Sequence, residues 1–87
     1  MKKQKFIIGD HVMIAKDLGP HMGHFPGDCE AIVMYSYDDN FGGGDTDSYS
    51  LWLRDHGHIS WYHEDQLTLI EHNRGDLQAK WKKEGEN

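Results

Sequence analysis

The sequence predicts a small, mainly β domain of five short strands followed by a C-terminal helix, and three observations predict it. Apolar residues recur with a period of two through most of the chain. Loops bearing glycine or proline interrupt that pattern at short intervals, and a helical spacing appears only after Asn73. Eighty-seven residues make one domain with one modest core.

Gly9-Asp10 is a turn, and the first strand runs from His11 to Ala15 with Val12 and Ile14 in one phase. Residues 16–28 hold three glycines together with Pro20 and Pro26, which makes them a long loop. Cys29 to Tyr37 is the clearest strand: Ala31, Val33 and Tyr35 alternate against Glu30, Ile32 and Met34. A polar loop from Asp38 to Ser48 surrounds Gly42, Gly43 and Gly44. Tyr49 to Arg54 alternates again, with Tyr49, Leu51 and Leu53 opposite Ser50, Trp52 and Arg54. Asp55-His56-Gly57 then turns the chain into His58–Tyr62, where Ile59 and Trp61 share the inward phase. His63-Glu64-Asp65 reads as one helical turn, and Leu67 to Ile70 as the closing strand.

The tail is helical in pattern. Asn73 and Asp76 have the spacing of a capping box, with Asp in place of Glu. Leu77 and Trp81 lie four apart on one face, and Lys80, Lys82 and Lys83 suit the negative end of the helix dipole. So short a helix is marginal alone in water and must dock through Leu77 and Trp81. Residues 1–6 then form a basic tail, 7–71 the β domain, and 72–87 the helix with a frayed end.

The strand order, with a long first loop, a polar second loop and a helical turn before the last strand, is that of a five-stranded SH3-like barrel. The chain resembles the small SH3-like barrel proteins encoded by phages and other mobile elements. The resemblance is carried by Gly9-Asp10-His11-Val12 and by the run from Ile59 through Trp61, Tyr62, His63 and Leu67 to Ile70. It covers roughly residues 8–71 and implies a barrel with a short C-terminal helix. By analogy with other small acidic phage proteins, it also implies an adaptor or inhibitor of a host protein or defence complex. The chain lacks the Ala-Leu-Tyr-Asp-Tyr type motif and the Trp-Trp pair of peptide-binding SH3 domains, so Pro-rich recognition is not implied.

Charge narrows the partner. The formal net charge is −6, and residues 17–72 alone carry −10. An acidic body repels phosphate, which disfavours direct binding of nucleic acid. The expected partner is a protein, basic or itself nucleic-acid-binding, and a homodimer is a further assembly such a surface could serve. No stretch has the roughly 18 consecutive apolar residues of a membrane span, and Phe6-Ile7-Ile8 is too short for the apolar part of a signal peptide. The single Cys29 rules out an intramolecular disulfide and fits a reducing compartment, so a cytoplasmic location is expected.

The aromatic residues are the main candidates for function. If Leu51, Leu53, Ile59 and Trp61 face the core, Trp52 and Tyr62 face outward on neighbouring strands, while Phe25 and Phe41 stand in the two long loops. Exposed Trp and Tyr rimmed by charge are interface anchors. The expected protein-binding set is Trp52, Tyr62, Phe25, Phe41, Asp38, Asp39 and Arg54. The competing use of Trp52 is as a seat for the C-terminal helix, with Trp81 packed nearby.

The alternative reading is a small zinc-binding domain. His21, His24 and Cys29 have the spacing H-x2-H-x4-C, and imidazole with thiolate suits Zn²⁺. No second paired cluster accompanies them, and no other cofactor is expected. Asp38, Asn40, Asp45 and Asp47 fail the EF-hand template, because its fifth position falls on Gly42 and its twelfth on Tyr49. Asp55, His58 and Ser60 are close in sequence, but no nucleophile-turn motif accompanies them, so an enzyme is not expected.

Overall fold

The computed structural model describes residues 5–20, 23–36 and 48–85. Five antiparallel strands form one sheet: β1 (His11–Ile14), β2 (Glu30–Ser36), β3 (Ser48–Leu53), β4 (Gly57–His63) and β5 (Leu67–Glu71). A 3-10 turn, Glu64–Gln66, precedes β5, and an α-helix, α1 (Gly75–Gly85), follows it. The sheet order is β4-β3-β2-β1-β5, so the chain meanders through four strands and returns to pair beside β1. β4 and β5 are the two edges, and the sheet is open between them.

One face of the sheet holds the core. Val12, Ile14, Ala31, Val33, Tyr49, Leu51, Leu53, Tyr62 and Leu67 are buried there with Phe6 and Leu18. These side chains follow the period of two that a half-buried strand requires. The first long loop folds back on the sheet through Gly27, where a Cβ would stand 2.7 Å from the Ala15 carbonyl oxygen. Only glycine allows that approach. The adjacent Pro26 carbonyl accepts the Tyr62 hydroxyl at 2.6 Å.

The other face is shared between α1 and solvent. Trp81 is 6% exposed and packs edge-on to His11 at 5.6 Å between ring centres. The Arg54 guanidinium lies 5.7 Å from its ring centre and also donates to Glu30 at 2.8 Å. Below Trp81 the buried Ile32 stands between His11 on β1 and Trp52 on β3, its partners in register. The helix docks as its Trp81 period requires. It enters through Asn73 at φ 56 and is tied back by the Arg74 N–H to the Gly9 carbonyl. Asp76 in its first turn binds Arg74 instead of capping from Asn73, and that pairing lowers the Asp76 carboxyl below its usual range.

Asp10 anchors the other end of this seam. Its fully buried carboxylate accepts the Ile7 N–H at 3.1 Å and lies 3.1 Å from His72 Nδ1, just before the helix. A buried carboxylate is stable only when partnered, and both oxygens are engaged.

Candidate functional site

The register of the three strands β2, β3 and β4 changes at one place. Val33 pairs with Leu51, and Tyr35 pairs with Ser50, which leaves Met34 as an extra residue in β2. On the other flank Leu51 pairs with Ile59 and Tyr49 with Tyr62, which leaves Ser60 and Trp61 together opposite Ser50. Both neighbours of β3 therefore carry a β-bulge against the same residue. A bulge inserts one residue, bends the strand and reverses which face the following residues present.

The consequence for the aromatics is direct. The unbroken alternation expected for β4 places Trp61 inward and Tyr62 outward, and the bulge exchanges them. Tyr62 is 1% exposed in the core and Trp61 is 45% exposed. In β2 the same device turns Tyr35, expected in phase with Ala31 and Val33, to the outer face at 48% exposure. Ser50 lies between Tyr35 and Trp61 in register, 3% exposed, with its Oγ in short contact with His58 Nε2. Ser50 is small and pinned between these two positions in register, and the Trp61 ring packs tilted against His63 at 5.4 Å between ring centres.

The remaining expected site residues do not come together. Trp52 is half-buried beneath Lys82, whose Nζ lies 6.0 Å from its ring centre, and is stacked with His58 at 6.5 Å. Tyr62 packs against half-buried Phe25 at 5.7 Å and belongs to the core. Arg54 is held by Glu30 and Trp81, and the hydrogen-bonded pairing with Glu30 raises its proton affinity while lowering that of the Glu30 carboxyl. Phe41, Asp38 and Asp39 lie outside the described residues, as does His21.

Of the zinc triad, His24 lies edge-on to Phe25 at 4.5 Å, while Cys29 is partly buried against the core. Burial, followed by the charges of Asp55, Asp28 and Glu30, pushes the Cys29 thiol up and so favours the protonated form. That opposes the thiolate a metal needs. Among the described residues no three His, Cys, Asp or Glu side chains converge.

A wide cleft of about 850 Å³ lies between the first loop and the 3-10 turn, lined by Lys5, Asp17, Leu18, Glu64, Asp65 and Gln66 among others. Most of its polar groups serve the fold. Glu64 accepts the Tyr49 hydroxyl at 2.6 Å and the Lys5 N–H at 3.1 Å. Gln66 accepts from the His63 N–H and donates to the Leu18 carbonyl, and Asp17 accepts the Gly19 N–H. Burial and the Glu64 carboxylate drive the Tyr49 phenol well above its ordinary range.

No family model matches the chain, and no curated protein or solved structure does either. Among the described residues no helix is long and apolar enough to cross a membrane.

Proposed function

We propose that the chain is a non-enzymatic protein-binding module that meets its partner through the outer face of β2, β3 and β4. The observation that carries this reading is the pair of bulges that turns Tyr35 and Trp61 to solvent on either side of Ser50. Bulges of this kind re-aim side chains, and outward Trp and Tyr are the residue types that anchor interfaces. The working pair is thus Tyr35 and Trp61, with Trp52 and His58 at its border and Tyr62 removed from it. The strand order, with a 3-10 turn before the last strand, supports reading the sheet as an SH3-like barrel used as a scaffold.

The test is affinity capture with the whole chain, followed by the same capture with Tyr35→Ala, Trp61→Ala and Leu69→Ala. A partner that copurifies in stoichiometric amount should be lost from the first two variants and kept by the third. Retention of that partner by both Tyr35→Ala and Trp61→Ala would remove the face from consideration.

A further inference from the structure

The outer face is laid out in rows, and α1 lies across one of them. The register aligns His11, Ile32, Trp52 and His58 from β1 to β4, and exposure grows along that row. His11 and Ile32 are buried, Trp52 is half-buried and His58 is exposed. The neighbouring row runs from Tyr35 through Ser50 to Trp61 and keeps Tyr35 and Trp61 in solvent. The helix makes the difference: Trp81 packs on His11, and Lys82 reaches over Trp52.

That cover is held lightly. Among the described residues of α1 only Trp81 is buried, while Leu77 and Gln78 are half-buried. A helix of 11 residues is marginal alone in water, so it depends on its docking. The ion pairs along its margin, Arg54 with Glu30 and Arg74 with Glu71 and Asp76, are partly exposed, and such pairs add little. The closed seam also carries a cost. Both ring nitrogens of His11 are buried, and among the described residues neither has a hydrogen-bond partner. Nε2 stands 3.0 Å from Glu30 Oε1, but the ring does not point along that line. An unsatisfied buried polar group destabilises the state that buries it, and water satisfies it once the seam opens.

We propose that α1 is a releasable strap that opens without unfolding the sheet and so regulates the binding face. Its root stays fastened, by Asp10 to His72 and by the Arg74 N–H to the Gly9 carbonyl, while the part bearing Leu77, Trp81 and Lys82 lifts. Lifting it uncovers Ile32 and Trp52 beside Tyr35 and Trp61, which joins the two rows into one apolar surface. A partner that takes the whole surface competes with α1 for the first row. The regulatory part of the inference rests on the binding face proposed above.

The test follows amide hydrogen exchange in the whole ¹⁵N-labelled chain. The Ile14 and Val33 N–H groups, bonded to the Cys29 and Asp10 carbonyls, serve as the core reference. Corrected for intrinsic rates, the amides from Leu77 to Lys82 should exchange at least about tenfold faster than that reference. His11→Phe keeps a ring beneath Trp81 and removes the unsatisfied nitrogens, so it should slow those amides about three- to tenfold. Leu77→Ala should speed them about tenfold. Capture of the partner should follow the same order, reduced by His11→Phe and increased by Leu77→Ala. Exchange of α1 in step with Ile14 and Val33 would overturn the strap. So would α1 rates indifferent to position 11, which fraying of the helix end alone produces, or equal capture by both variants. The exchange measurement needs no partner, so failure of the strap is read separately from failure of the face, which shows as Tyr35→Ala and Trp61→Ala keeping the partner.

Discussion

The two halves of the outer face differ in what covers them. Over β1 and β2, α1 lays Trp81 on His11 and Arg54, and the face there is closed, with Ile32 buried beneath it. Across β2, β3 and β4 around Ser50, α1 extends Lys82 over the neighbouring Trp52, while Tyr35 and Trp61 stand exposed. The first half behaves as a second core. The second has the residue types of a core, turned outward by two bulges. The contrast teaches that exposure here is a product of strand geometry, since a regular β4 would have buried Trp61.

The largest difference between inside and outside should appear at alkaline pH. Burial pushes the Tyr62 phenol up to about 12 and moves Tyr49 further in the same direction. A phenol whose pKa is higher folded than unfolded stabilises the fold fully below about 10, the unfolded value. That contribution is lost as pH rises through the folded value. Phenolate absorbance should therefore show two late tyrosines that ionise together with unfolding, between about pH 10 and 12 or above. If all tyrosines titrated near pH 10 in a folded chain, Tyr62 would not be in the core.

Next in size is the helix-covered half. Trp81→Ala should cost about 3 kcal/mol in denaturant unfolding and strip helical signal from the circular dichroism spectrum, because α1 docks chiefly through that ring. Trp61→Ala on the bare half should change stability by less than about 0.5 kcal/mol, as surface substitutions do. Comparable losses from the two would erase the distinction drawn between the halves.

The bulge in β4 can be removed by itself. Deleting Ser60 leaves Ile59 opposite Leu51, Trp61 opposite Ser50 and Tyr62 opposite Tyr49, the pairs that already face one another. The chain should stay folded and lose about 1 kcal/mol, judged by its unfolding midpoint. In a strand without a bulge the same deletion would send Trp61 and Tyr62 to the wrong faces and abolish folding.

Much of the fold was legible because period-two patterning is a local signal. Every strand lies within about two residues of where its alternation put it, and Leu77 with Trp81 announced a helix that needs a surface to dock on. The site was less legible for one physical reason. A bulge costs a single residue, and neither Met34 nor Ser60 is a glycine or proline that would mark one. The only hint was the adjacent pair Trp61-Tyr62, of which one ring must face out in any strand. Phase counted from Ile59 puts Trp61 inward, and phase counted from Val33 puts Tyr35 inward, and the bulges reverse both. Trp52 suits an interface and a helix seat equally by sequence, and Lys82 of α1 stands over it.

The central claim is that the bulged half, and not the β5 edge of the sheet, meets the partner. Photoreactive p-benzoylphenylalanine placed at Tyr35, and in a separate variant at Leu69 on β5, tests it most directly in lysate under ultraviolet light. The account predicts a discrete cross-linked species from position 35 that disappears when Trp61→Ala is added, and none from position 69. Adducts from position 69 alone, or adducts from 35 that ignore Trp61→Ala, would contradict it.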